Sequence, residues 1–143
     1  MSELGQIVAA TLMPLQGVRA AWLFGSRVRG THREDSDLDL LVVYERTLSP
    51  DQRESLRREI IYELAGTLEA IGERADVTDA DRTDSGVAFA AVSEGELVLE
   101  RTKLERVRAQ VSILRRYDDD SPRRQLVRAA AAMAVERMKR DRR

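Results

Sequence analysis

Gly25 and Ser26 close a short apolar run, and after ten intervening residues Asp37-Leu38-Asp39 opens another. On a strand the period of two puts Asp37 and Asp39 on one face. Carboxylates held side by side repel and raise each other's proton affinity unless a cation lies between them, and such hard oxygen donors suit Mg²⁺ or Mn²⁺. Leu38 and Leu40 then point the other way, into a core that fixes the strand and aims the acids outward. Gly25 permits a tight backbone path beside a ligand. Ser26 and its neighbouring amides can donate hydrogen bonds to phosphate oxygens, above all where a helical turn begins. Arg27 and Arg29 stand close by in sequence as phosphate partners. Alone, Gly-Ser reads as a strand-to-helix cap and Asp-x-Asp as an exposed strand edge. At this spacing the two together point to a metal and a phosphorylated ligand.

These residues need elements to hold them. Ala20 to Phe24 is the pattern of a buried strand feeding a tight turn, and Asp37 to Tyr44 passes from strict alternation to a wholly apolar run, as suits a central strand with one open end. Ile7 to Leu15 predicts a short helix stopped by Pro14 and Gly17. Ser49-Pro50-Asp51 is a helix start, and Leu56, Ile60, Leu64, Leu68 and Ile71 recur at steps of four and three up to Gly72. Ala75 to Thr78 follows as a brief strand, so strand, helix and strand alternate as in a parallel crossover unit. Asp84 to Ser93 predicts a helix with Asp84 as its N-cap, and Glu96 to Glu100 a last strand. From Arg101 the composition turns basic and alanine-rich, in two helical stretches divided at Asp118 to Pro122. The expected division is therefore a core of residues 1–100 and a helical extension of residues 101–143.

Composition narrows the function classes. Lys and Arg number 24 against 25 Asp and Glu, so no overall field selects nucleic acid or a membrane as partner. There is no cysteine, which excludes disulfides and a thiol nucleophile and leaves oxygen or His32 to hold any metal. No run approaches the about eighteen apolar residues that span a bilayer. The expectation is a soluble, cytoplasmic protein. His32, the only histidine, reads as a solvated loop residue, and Trp22, the only tryptophan, as core or interface.

Gly25-Ser26-Arg27-Val28-Arg29-Gly30 followed by Asp35-Ser36-Asp37-Leu38-Asp39-Leu40-Leu41-Val42 resembles the signature of the minimal nucleotidyltransferases of the DNA polymerase beta superfamily, without insertion or deletion. The resemblance spans about residues 7 to 100. It implies an α/β fold with helices packed on a small mixed sheet, and transfer of a nucleoside monophosphate from a triphosphate to a hydroxyl. It also implies a third carboxylate on a later strand, which Asp76 matches. Asp79 would face the opposite way, and Asp81 and Asp84 fall in the loop or helix start. Asp37, Asp39 and Asp76 would hold two Mg²⁺ ions, with Mn²⁺ as an alternative, and Asp76 would be either general base or ligand. Gly25, Ser26, Arg27 and Arg29 would hold the phosphates.

The stretch beyond Arg101 is too short for a template-gripping or substrate-binding second domain. A stand-alone enzyme is therefore expected. Many such proteins are antitoxins of HEPN ribonucleases, and Ile113 to Asp118 with the following helix resembles their tails. The resemblance implies transfer of AMP from ATP to a tyrosine of a cognate HEPN toxin, in a hetero-oligomer and without direct contact to nucleic acid. Two other readings stand beside it. One is a protein that neutralises the toxin by binding alone, and the other an enzyme acting on a small hydroxylated molecule such as an aminoglycoside.

Overall fold

A computed structural model of the chain describes residues 1–30 and 36–142. Four strands, β1 (Val18–Phe24), β2 (Leu38–Tyr44), β3 (Ala75–Asp79) and β4 (Glu96–Glu100), form one mixed sheet in the order β3-β2-β1-β4. β1 is antiparallel to both β2 and β4, and only β2 and β3 run parallel. The parallel pair is joined by α3 (Pro50–Leu68) and the one-turn α4 (Ala70–Glu73), the crossover that parallel neighbours require. The α/β class with a small mixed sheet is thus the observed one.

Alternation along the strands sorts the apolar side chains to two faces. Leu38, Leu40 and Val42 join Val8 and Leu12 of α1 (Glu3–Leu12) and Ile60 and Leu64 of α3 in the first core, all fully buried. Trp22 and Leu41 point the other way, against Ala88 and Ala91 of α5 (Ser85–Glu94) and Ile113 of α6 (Lys103–Asp119). Trp22 is core, at 2% exposure. The sheet is covered on both sides, which is why β2 becomes apolar at every position after Asp39.

Local chemistry sets the ends of the helices. Ser49 and Gln52 form a reciprocal capping box at the start of α3, with Pro50 at the first helical position. The helix expected to continue to Gly72 instead breaks at Glu69, whose φ of 54° is a left-handed value. Gly72 is buried against the backbone of Leu64, an approach with no space for a side chain, so the chain turns back there and carries Ile71 onto the first core. α1 begins four residues ahead of the expected Ile7 because Ser2 caps it, accepting from the Gly5 amide at 3.0 Å while its own hydroxyl is held by Glu96. Pro14 lacks the amide hydrogen that would extend it past Leu12.

The segment from Arg101 contains two different things. α6 closes the second face: Ile113 is 2% exposed, Arg116 donates to the carbonyls of Ala80 (2.6 Å) and Thr83 (3.0 Å), and Arg19 pairs with Glu105 at 2.6 Å. α7 (Ser121–Asp141) contains no buried residue. Its first turn is fastened where Arg124 lies over the Tyr117 ring, 3.7 Å from the centroid, and Tyr117 stacks on Phe89 at 4.0 Å. Among the described residues no helix is long and apolar enough to cross a membrane.

Candidate active site

The open ends of three strands meet at one edge of the sheet. Asp39 is the register partner of Phe24 on one side and of Asp76 on the other. Gly25 directly follows Phe24, so the Gly-Ser turn, the second aspartate and the third carboxylate become neighbours through strand pairing alone. Asp37 precedes β2 by one residue. Val77 belongs to the first core, so Asp76 faces the second side, as Asp39 does between Leu38 and Leu40. Asp37 and Asp76 are exposed and Asp39 is half-buried. The acids therefore lie past the end of the second core, beside Phe24.

Gly25 has two reasons to be glycine. Its backbone lies at φ 83°, ψ −156°, a conformation essentially restricted to glycine. A β-carbon there would stand 3.1 Å from Cγ and 3.3 Å from Cβ of Asp39, and closer still to Oδ2. The turn and the carboxylate thus touch across the space a side chain would fill. Ser26 is the first residue of the one-turn helix α2 (Ser26–Arg29), whose leading amides have no carbonyl partner within the helix. Gly30 ends it in the left-handed region at φ 73°.

Partial burial raises the proton affinity of Asp39 most, followed by the charges of Asp76 and Asp37, and Arg29 opposes the shift. The site thus concentrates negative charge around one half-buried carboxylate, a donor set matched to a hard divalent cation. Among the described residues no three acids or histidines are gathered into a cage by themselves. Mg²⁺ typically takes one or two carboxylates and completes its shell with water and substrate phosphate, so the open cluster fits that ion.

The two arginines part company. Arg29, exposed on α2, is near enough to act on Asp39. Arg27 donates to the Ser36 carbonyl at 2.8 Å and lines a cavity with Leu4, Ile7 and Leu23 on the first face, away from the acids. It ties α2 to the chain just ahead of Asp37. Of the competing acids, Asp79 pairs with Arg53 at 3.0 Å and accepts the Asp81 amide at 2.9 Å, and Asp81 also meets Arg53. Asp84 caps α5 by accepting the Gly86 amide at 2.9 Å. These three have structural work elsewhere. His32 and Asp35 lie outside the described residues. Phe24, the apolar floor beside Asp39, carried no chemical signal in sequence, since only the register places it there.

Residues 6–104 match the family described as polymerase beta, nucleotidyltransferase, and the chain belongs to that family. Search of curated protein sequences gave no match. Among solved structures, the chain resembles one of a toxin–antitoxin with AMP-PNP at 21% identity and a TM-score of 0.71, covering 90% of this chain and 98% of that one. A second is a tri-AMPylated Shewanella oneidensis HEPN toxin in complex with MNT antitoxin, at 18% identity and TM-score 0.63, with the same coverage. A third is an MntA–HepT toxin–antitoxin, at 19% identity and TM-score 0.67, covering 92% and 99%. At these identities the likeness establishes the fold.

Proposed function

We propose that this protein is a Mg²⁺-dependent nucleotidyltransferase that transfers AMP from ATP to a tyrosine hydroxyl of a cognate HEPN toxin and thereby acts as its antitoxin. The observation that carries the reading is the register of Asp39, which sits opposite Asp76 on one side and touches the Gly25 turn on the other. That arrangement brings a carboxylate cluster against a turn whose amides suit phosphate. Mg²⁺, when bound, neutralises charge that builds on the α-phosphate during in-line displacement. Asp37 and Asp39 would hold it. Asp76 would complete the shell or accept the proton of the attacking hydroxyl, for which its exposure leaves access. The Gly25 turn and Ser26 would grip the departing pyrophosphate, and Arg29 would offset its charge. Arg27 would act at one remove, by fixing the path from α2 to Asp37. The partner, the nucleotide and AMP transfer come from the family resemblance and from the toxin–antitoxin complexes with AMP-PNP and with an AMPylated toxin.

The test is to mix the protein with ATP, Mg²⁺ and the product of the neighbouring gene, and to weigh that product. Added AMP that disappears in Asp37→Asn and Asp39→Asn variants supports the reading. No added mass, together with full protection from toxicity by those variants, would overturn it.

A second reading, neutralisation by binding alone, is favoured by α7, which has no buried residue. Removing residues 121–143 would then abolish protection while the aspartate variants retained it.

A further inference from the structure

The charge of the chain is unevenly divided. Residues 1–100 carry 10 arginines and 19 acids, whereas residues 101–143 carry 14 lysines and arginines and 6 acids. The near-neutral total conceals an acidic body and a basic helical end, and within that end α6 is apolar on the side turned away from the sheet. On α6, Leu104, Val107, Val111 and Leu114 recur at steps of three, four and three and are 38–57% exposed. This stripe lies opposite Ala109 and Ile113, which pack on the sheet. A helix apolar on two sides has a second side to cover. Beside the stripe runs a groove of about 470 Å³ lined by Val107 and Val111 and flanked by Arg46, Arg108, Arg115 and Arg116, four cations against the single acid Asp119. α7 repeats the composition over about 30 Å: Leu126, Val127, Met133 and Met138 are 58–71% exposed, with arginines at both ends of the run.

We propose that the outer face of α6, with its arginine-lined groove and the projecting α7, is a docking surface for a helical protein whose own face is apolar and acidic. This deepens the function proposed above and rests on its assumption of a protein partner. Charge decides among occupants. A second copy docked through the same face would set one arginine-rich surface against another, a repulsive pairing. One docked through its acidic body would offer no matching stripe, since the exposed large hydrophobics there among the described residues are the scattered Met1, Met13, Tyr62 and Val87. Nucleic acid would satisfy the arginines but leave the Leu104 to Leu114 stripe against phosphates and sugars, where it gains nothing. An acidic amphipathic helix satisfies both. A stable interface takes roughly 800 Å² per partner, and exposed apolar residues on both α6 and α7 are available to it. The acids of the candidate active site lie at the edge of the sheet formed by the end of β1 and the starts of β2 and β3, so docking on α6 leaves them open to the reacting part of the same partner.

The experiment compares the full chain with Arg108→Glu/Arg115→Glu and Val107→Glu/Val111→Glu double variants, both confined to exposed positions. The shift in melting temperature on adding ATP and Mg²⁺ serves as a check on fold and site. The first probe is the neighbouring gene's product. Binding weakened about tenfold or more by each double variant, with association slowed by salt in the wild type, supports the proposal. Equal binding by all three proteins, with AMP still transferred, overturns this surface and leaves the function standing. If that product neither binds nor is modified, the function fails instead, and the second probe is a synthetic helix with leucine heptads flanked by glutamates. Capture of that peptide by the wild type and its loss in both variants supports the surface. No capture overturns it, as does self-association abolished by the same variants, or tight binding of duplex DNA in place of the peptide.

Discussion

Replacing Gly25 by alanine tests the contact on which the proposed site depends. The residue lies at φ 83°, ψ −156°, and alanine there costs about 1–3 kcal/mol of backbone strain. For a chain of this length that corresponds to a fall in melting temperature of about 4–12 °C. Strain is only half of the effect. The new β-carbon would stand 3.1 Å from Cγ of Asp39 and nearer to its Oδ2, so the carboxylate must retreat by about an ångström. Misplacement on that scale costs turnover about 100-fold, or about 2.7 kcal/mol of transition-state stabilisation. Gly30→Ala is the control. Gly30 also has positive φ, 73°, but no described residue lies within 4 Å of a β-carbon there. It should lose about 1–2 kcal/mol of stability and keep turnover within about twofold. Thermal melts with AMP-transfer kinetics on the same preparations decide the matter. Gly25→Ala with wild-type turnover, or equal losses of turnover in the two variants, would refute a Gly25–Asp39 contact as part of the machinery.

Asp39 supplies a pH signature. Its folded proton affinity is raised, so the fold binds that proton more tightly than the unfolded chain does. In metal-free solution stability therefore falls as pH rises from the ordinary aspartate range, about 4, through the folded value. Asp39→Asn should flatten that slope, raise the melting temperature at pH 7 in EDTA, and lose both transfer and the stabilisation by ATP with Mg²⁺. Tyr44 is 2% exposed and its hydroxyl has no hydrogen-bond partner among the described residues, so Tyr44→Phe should stabilise by about 1 kcal/mol in denaturant titration. The Arg101 guanidinium donates to the carbonyls of Leu12, Met13, Leu15 and Val18 at 2.9–3.2 Å, joining the end of α1 to β1. Arg101→Met should cost about 3 kcal/mol, and Arg101→Lys should restore little because an ammonium cannot span that fan of acceptors.

How much of this was legible in sequence follows from the range of the interactions involved. Period-two alternation marks Leu38, Asp39 and Leu40 as pointing to opposite sides, and the capping residues Ser49, Pro50 and Asp84 announce their helices, because each acts within about four residues of itself. The motif from Gly25 to Asp39 is legible as a spacing of residue types, although the contact between its two halves requires β1 to pair with β2. The break at Glu69 was not legible, since it depends on Gly72 packing against Leu64. Nor was the fate of Arg27, which sequence placed with the phosphate partners and the fold turns toward Ser36 and the first face.

By itself, then, the sequence determined which side chains could share a face and which residue types stand ready for metal and phosphate. Tertiary structure decided who meets whom. Asp76 is 37 residues beyond Asp39 and joins it only because β3 pairs with β2 in one register, and a slip of one residue would turn Asp76 to the other side of the sheet. The same packing divided the basic end of the chain, drawing α6 over the second face through Ile113 and Arg116 and leaving α7 projecting. Composition could not foresee that division, because burial depends on which apolar surface the sheet has left uncovered, and that surface exists only once the strands are paired.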